Sequence, residues 1–122
     1  MSDFPITIFH NPACSTSRTV LGLIREAGHE PNVVEYLKTG WTRPQLKDLL
    51  KAMGARPIDI LRKKSSPAAE LVEELKLLNE GTTDEEIIEA MVVHPILVER
   101  PIVVTLKGTR LARPPEKILE IL

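Results

Sequence analysis

The chain of 122 residues contains one cysteine, Cys14. A single cysteine excludes an internal disulfide and a dithiol relay within one chain, and it fits a reducing compartment. An excess of charge of one sign is also lacking. The 16 Lys and Arg against 17 Asp and Glu leave a net charge of -1, which removes the electrostatic case for a nucleic acid or an acidic membrane surface as partner. No apolar run is long enough to cross a bilayer, and Met1-Ser2-Asp3-Phe4-Pro5 has neither the charged nor the long apolar region of a leader. The expectation is a cytoplasmic protein. No His/Cys cluster has zinc spacing and no carboxylate pattern fits calcium or magnesium, so no metal site and no bound cofactor are expected. Repeats and low-complexity segments are absent, and the length fits one domain, residues 1–122, with a real core.

What is present centres on His10-Asn-Pro-Ala-Cys14-Ser-Thr-Ser-Arg18. The β-branched and aromatic run Ile6-Thr7-Ile8-Phe9, followed by Asn11-Pro12, predicts a strand ending near His10. Val20, Leu21, Ile24 and Ala27 recur at helical spacing and Gly28 is placed to stop the helix. Cys14 then falls at a helix N-terminus, where unpaired N–H groups and the positive end of the helix dipole favour a thiolate. Ser15 and Ser17 add hydroxyl donors, and His10 and Arg18 add positive charge. A lone cysteine is usually a small buried hydrophobe. Its Ser, Thr, Ser and Arg neighbours make a poor core segment, which favours a reactive thiol.

Further along, Asn32–Leu37 reads as a second strand and Thr39-Gly40-Trp41 as the loop leaving it, completing a β-α-β unit. Thr42 and Gln45 have capping-box spacing, with Pro44 in the first turn and Leu46, Leu49, Leu50 and Met53 on one face that ends at Gly54. Arg56-Pro57 and Ser66-Pro67 open two shorter helical pieces, the first with Ile58, Ile60 and Leu61, the second with Leu71, Val72 and Leu75 as core. Thr83 and Glu86 form another capping box, opening Ile87, Ile88, Met91 and Val92, and His94-Pro95 closes that helix. His29 and His94 read as helix C-terminal residues. Pro101–Leu106 and Thr109–Ala112 then form a β-hairpin turning at Lys107-Gly108, and Pro114-Pro115 starts a last helix with Ile118, Leu119 and Leu122 on its apolar side. The expected fold is α/β: a thioredoxin-like core, β-α-β followed by a β-hairpin and a terminal helix, with a helical insertion at about residues 42–95. Pro101 occupies the position where such folds commonly place a cis-proline, although a sequence does not reveal the isomer.

Cys14 with Ser17 makes a Cys-x-x-Ser frame, so turnover through a thiol adduct needs an outside thiol such as glutathione, a glutaredoxin or a thioredoxin. A phosphatase loop would require Cys-x5-Arg, and position 20 is Val. Arg62, Arg100 and Arg113 each stand at an element boundary. Such arginines are either solvated charges and carbonyl caps or a convergent set of oxyanion ligands, and spacing leaves both readings open. His10 either stabilises the thiolate as a cation or caps a strand end.

Four ordered motifs, His10 to Arg18, Leu61-Arg62-Lys63, His94 to Val104, and Gly108 to Pro114, resemble the glutaredoxin-dependent arsenate reductase family over essentially the whole chain. The resemblance implies a thioredoxin-like core with a helical insertion, Cys14 as nucleophile, and Arg62, Arg100 and Arg113 as oxyanion ligands. It further implies that His10 and Ser17 help to lower the thiol pKa. The implied reaction is reduction of arsenate to arsenite, with glutathione as co-substrate and glutaredoxin as partner. Two other readings have their own discriminators. A general glutathione-dependent thiol transferase would reduce mixed disulfides without arsenate. A regulator of the Spx type, which shares the fold, would bind RNA polymerase; Ser17 removes the Cys-x-x-Cys switch of that class, and binding unaffected by Cys14→Ser would mark it.

Overall fold

The computed structural model describes residues 5–122; residues 1–4, read above for a leader, lie outside the described residues. The chain groups into two compact units, one made of the chain up to Thr39 together with Arg100–Leu122, the other of Gly40–Glu99.

The first unit holds a four-stranded sheet in the order β2-β1-β3-β4. Strand β1 (Thr7–His10) is joined through helix α1 (Ser15–Glu26) to β2 (Asn32–Glu35), which lies parallel to it. Strands β3 (Ile102–Thr105) and β4 (Gly108–Leu111) form the hairpin, and β3 runs antiparallel to β1. The core of this unit is Ile6, Ile8 and Val103 from the sheet region packed with Val20 and Ile24 of α1 and Ile118 and Ile121 near the C-terminus. Removing these side chains from water is the main force holding α1 to the sheet. Helix α1 stops as its sequence dictates: Gly28 adopts φ 92°, its N–H bonds the Arg25 carbonyl, and the His29 N–H reaches back to Ile24.

Three expectations are corrected in this unit. Tyr36 and Leu37 are not strand but begin a short helix α2 (Tyr36–Thr39). The β1–β2 ladder ends at His10 opposite Glu35, because β1 itself stops where the chain bends into Asn11-Pro12, and the ladder does not extend to Tyr36. The hairpin turns at Leu106-Lys107 rather than Lys107-Gly108, since Gly108 pairs with Thr105 as the first residue of β4. The Lys107 N–H donates to Thr105 Oγ1 at 3.0 Å, leaving Leu106 72% exposed in the turn. A Cβ at Gly108 would stand 3.3 Å from Ile121 Cγ2, so the glycine serves close packing as well as its φ of 152°. The terminal helix is a 3-10 turn, Pro115–Glu120, whose three-residue repeat puts Ile118 and Ile121 on one side and leaves Leu119 62% exposed.

The Gly40–Glu99 unit contains α3 (Arg43–Met53), α4 (Ala68–Glu74) and α5 (Asp84–Val93). Thr42 caps α3 by accepting the Gln45 N–H, and Gly54 ends it with φ 64°. Thr83 and Glu86 satisfy both arms of the capping box on α5, and the His94 N–H bonds Ala90 O at 2.8 Å where the helix closes. Leu46, Leu49, Leu50, Val72, Ile87, Ile88 and Met91 are buried as expected. Two details differ. Pro57–Ile60 is a 3-10 turn after which Leu61 is extended and pairs with Val98, because a short proline-led segment without a second helical turn gains more from that bridge than from continuing. Leu75, expected in the core, is the C-cap of α4 and 43% exposed, and Leu77 is buried one short turn further on.

Candidate active site

The end of β1 and the start of α1 make the site around Cys14. His10 closes β1 and Asn11-Pro12 turns the chain. Cys14 follows as the N-cap of α1, with extended backbone (φ -95°, ψ 123°) and a partly buried side chain. The turn is held by the Cys14 N–H bonding Asn11 O at 3.0 Å and by the Arg18 N–H bonding Cys14 O at 3.0 Å. Partial burial pushes the thiol pKa up. The Ser17 backbone N–H together with the Arg100 and Arg113 guanidinium groups outweighs it, and the net displacement is downward from 9.0.

The hairpin delivers both arginines. Arg100 precedes β3 and Arg113 follows β4, so antiparallel pairing brings the two ends together: the Ala112 N–H bonds Pro101 O at 2.9 Å, and Arg113 Nη1 donates to Arg100 O at 2.9 Å. Arg113 Nη1 also stands 3.8 Å from Cys14 Sγ. Arg100 is only 8% exposed, and its Nε and Nη1 have no hydrogen-bond partner. A buried guanidinium with two unanswered N–H groups beside an acidified thiol has the chemistry to donate to hydrogen-bond acceptors such as the oxygens of an oxyanion. The peptide bonds Arg100–Pro101 and Arg113–Pro114 are both cis, the first at the position marked by the fold expectation.

His10 is buried, and its Nδ1 lies 2.7 Å from Ser17 Oγ. Burial first, with Arg25 and Arg18 contributing and Glu35 opposing, holds its pKa below the ordinary 6.5, so the imidazole is neutral at neutral pH. Of the two readings of His10, the lowered pKa argues against the cation beside the thiolate. Ser17 Oγ, which also accepts the Asn11 N–H at 3.1 Å, links the imidazole to the turn instead. Arg18 is directed to the Pro12 carbonyl at 2.8 Å. Arg62 belongs to the Gly40–Glu99 unit, where its Nη1 pairs with Glu99 Oε1 at 2.5 Å and its Nη2 donates to Ser65 Oγ at 3.2 Å. Cys14, His10, Ser17, Arg100 and Arg113 are thus gathered in one unit, and Arg62 is carried by the other. Two contributors escaped the sequence reading: Glu99, partner of Arg62, and Asn11, whose Oδ1 accepts the Ala13 N–H at 3.0 Å. Asn two residues before Ala13 is the available signal for the second, since Asn commonly bonds the amide two positions on. Among the described residues no three His, Cys, Asp or Glu side chains gather as metal ligands.

The ArsC family profile matches residues 9–121. The chain belongs to the ArsC family. It is 53% identical over 122 residues to arsenate reductase ArsI1 of Synechocystis, an alignment covering 100% of this chain and 82% of the relative. It is 50% identical over 117 residues to the arsenate reductase of Escherichia coli K12, covering 96% of this chain and 80% of the relative. Among solved structures, the arsenate reductase from Vibrio cholerae superposes with a TM-score of 0.90 at 38% identity, covering 99% of this chain and 100% of that one. The ArsC fold of these neighbours is the thioredoxin-like arrangement expected from the order of elements, here with its four-stranded sheet.

Proposed function

We propose that this ArsC protein reduces arsenate to arsenite, with the Cys14 thiolate as nucleophile. The observation that carries the reading is the buried Arg100 guanidinium, whose Nε and Nη1 have no partner while Arg113 Nη1 stands 3.8 Å from Cys14 Sγ. Arsenate is a dianion near neutral pH, and two guanidinium groups offset the repulsion a thiolate would otherwise meet. In the reaction, Cys14 Sγ forms a bond to arsenic as one oxygen is displaced and leaves as water. Glutathione displaces a further oxygen on arsenic, and a glutaredoxin thiol supplies the second reducing equivalent. Two electrons pass to arsenic, the two external thiols end as a disulfide, and water on the remaining sulfur–arsenic bond releases arsenite and regenerates Cys14.

In this assignment Arg100 and Arg113 hold the oxyanion, and Arg62 is the third arginine of the family motif. His10 and Ser17 hold the turn that favours the thiolate. Glutathione is a co-substrate, and no resident cofactor takes part. No helix among the described residues is long and apolar enough to cross a membrane. We assign the protein to the cytoplasm, where glutathione is kept reduced. The test is NADPH oxidation coupled through glutathione reductase, glutathione and glutaredoxin and started with arsenate. Wild type is expected to turn over and Cys14→Ser to be inactive. Turnover of a mixed disulfide but not of arsenate would replace this reading with a thiol transferase.

A further inference from the structure

The turn ahead of Cys14 is organised by one residue. Asn11 is buried. Its N–H donates to Ser17 Oγ at 3.1 Å, its carbonyl accepts the Cys14 N–H at 3.0 Å, and its Oδ1 accepts the Ala13 N–H at 3.0 Å. Pro12 has no amide hydrogen. Every backbone N–H from Asn11 to Cys14 is thereby committed inside the turn. The donors left to face an anion come from the first turn of α1, whose amides have no intrahelical acceptor.

We propose that Asn11 is a positioning residue for the Cys14 nucleophile, its side-chain Oδ1 fixing the Ala13 amide so that Sγ is held toward the first turn of α1. Of its three bonds only the Oδ1 bond depends on the side chain, so a substitution tests that tie alone. Without it the Ala13–Cys14 peptide can turn, and Sγ loses its fixed place at the start of α1. An Asn that bonds the amide two residues on is an ordinary turn device. What distinguishes Asn11 is that its own N–H is also joined, through Ser17 Oγ, to the buried His10 ring, so the two sides of the turn are tied through one residue. The inference rests on Cys14 being the working thiolate.

The experiment is the rate of Cys14 alkylation by iodoacetamide as a function of pH, without arsenate, over about pH 5–10, together with a thermal melt to confirm folding. Asn11→Ala is expected to move the inflection up by about one unit, which is about a tenfold slower reaction on the acid side. Asn11→Ser, which forms the same turn more weakly, is expected to show a smaller upward shift. A folded Asn11→Ala with the wild-type inflection overturns the proposal, as does an Asn11→Ser shift as large as that of Asn11→Ala. If Asn11→Ala does not fold, Asn11→Ser decides: an upward shift supports the proposal and a wild-type inflection overturns it. The assay contains no arsenate, so an enzyme inert toward arsenate would remove the proposed reaction and leave the Asn11 effect standing. Arsenate turnover with no Asn11 effect would remove only this inference.

Discussion

Replacing Arg100 by methionine is expected to make the protein more stable and nearly inactive. The side chain is 8% exposed, and its Nε and Nη1 have no partner. Each buried donor left without a partner costs about 1–3 kcal/mol, and the attraction between the guanidinium and the Cys14 thiolate offsets part of that. Methionine of similar length fills the space without the penalty. A net gain of about 1–3 kcal/mol is expected, at about 3–6 °C in Tm per kcal/mol for a chain of this size. The bond from Arg113 to the Arg100 carbonyl involves only the main chain at position 100, so it survives the change. The same two donors contribute about 1.5–3 kcal/mol each when they meet an anion. Their loss predicts a fall in kcat/KM for arsenate of roughly two to four orders of magnitude. Arg100→Lys keeps the charge but not the planar fork, and an intermediate activity is expected. Calorimetry and the coupled assay measure both sides. A variant that melts below wild type would show that the guanidinium holds the fold, and a kcat/KM within about threefold of wild type would show that it does not hold the substrate. Either result refutes the reasoning.

Other expectations follow from the same geometry. Because the folded thiol titrates below its ordinary value, Cys14 adds stability that is fully present above the unfolded pKa and is lost as pH falls through the folded one. Urea melts of wild type and Cys14→Ser should accordingly converge toward acid pH, and a constant difference across the range would contradict the lowered thiol. His10 is buried neutral, so the unfolded chain binds the extra proton first and stability should drop as pH falls below about 6.5. His10→Gln should flatten that acid limb in the same melts. Leu77→Ala is expected to cost about 2–5 kcal/mol, whereas Leu75→Ala should stay within about 0.5 kcal/mol. Equal losses in thermal melts would put Leu75 back in the core.

Much of this was legible in the residues because the signals are local. Caps and stops carry their own chemistry: Thr42 and Thr83 opened α3 and α5, and Gly28 and Gly54 stand at the ends predicted for them. The family motifs singled out Cys14, Arg100 and Arg113, and the fold brings these three together. What was not legible depended on partners far along the chain. Nothing near Tyr36 announces that β1 has run out opposite it, and nothing near Leu119 favours a three-residue over a four-residue repeat. The protonation of His10 is set by burial, which spacing does not report. Arg62 looked like a boundary arginine, and its pairing with Glu99 follows from the antiparallel bridge between Leu61 and Val98.

The hairpin has a consequence for when the thiol becomes dangerous to its own cell. Arg100 and Arg113 are brought together by a short local loop, which closes readily. The cysteine joins them through the pairing of β1 with β3, between opposite ends of the chain. A chain in which β1 and β3 have not paired therefore lacks the two guanidinium groups that help to acidify the thiol, which slows its reaction with oxidants or stray electrophiles. Completion of the sheet therefore adds the arginines' share of the acidification to what the start of α1 supplies locally.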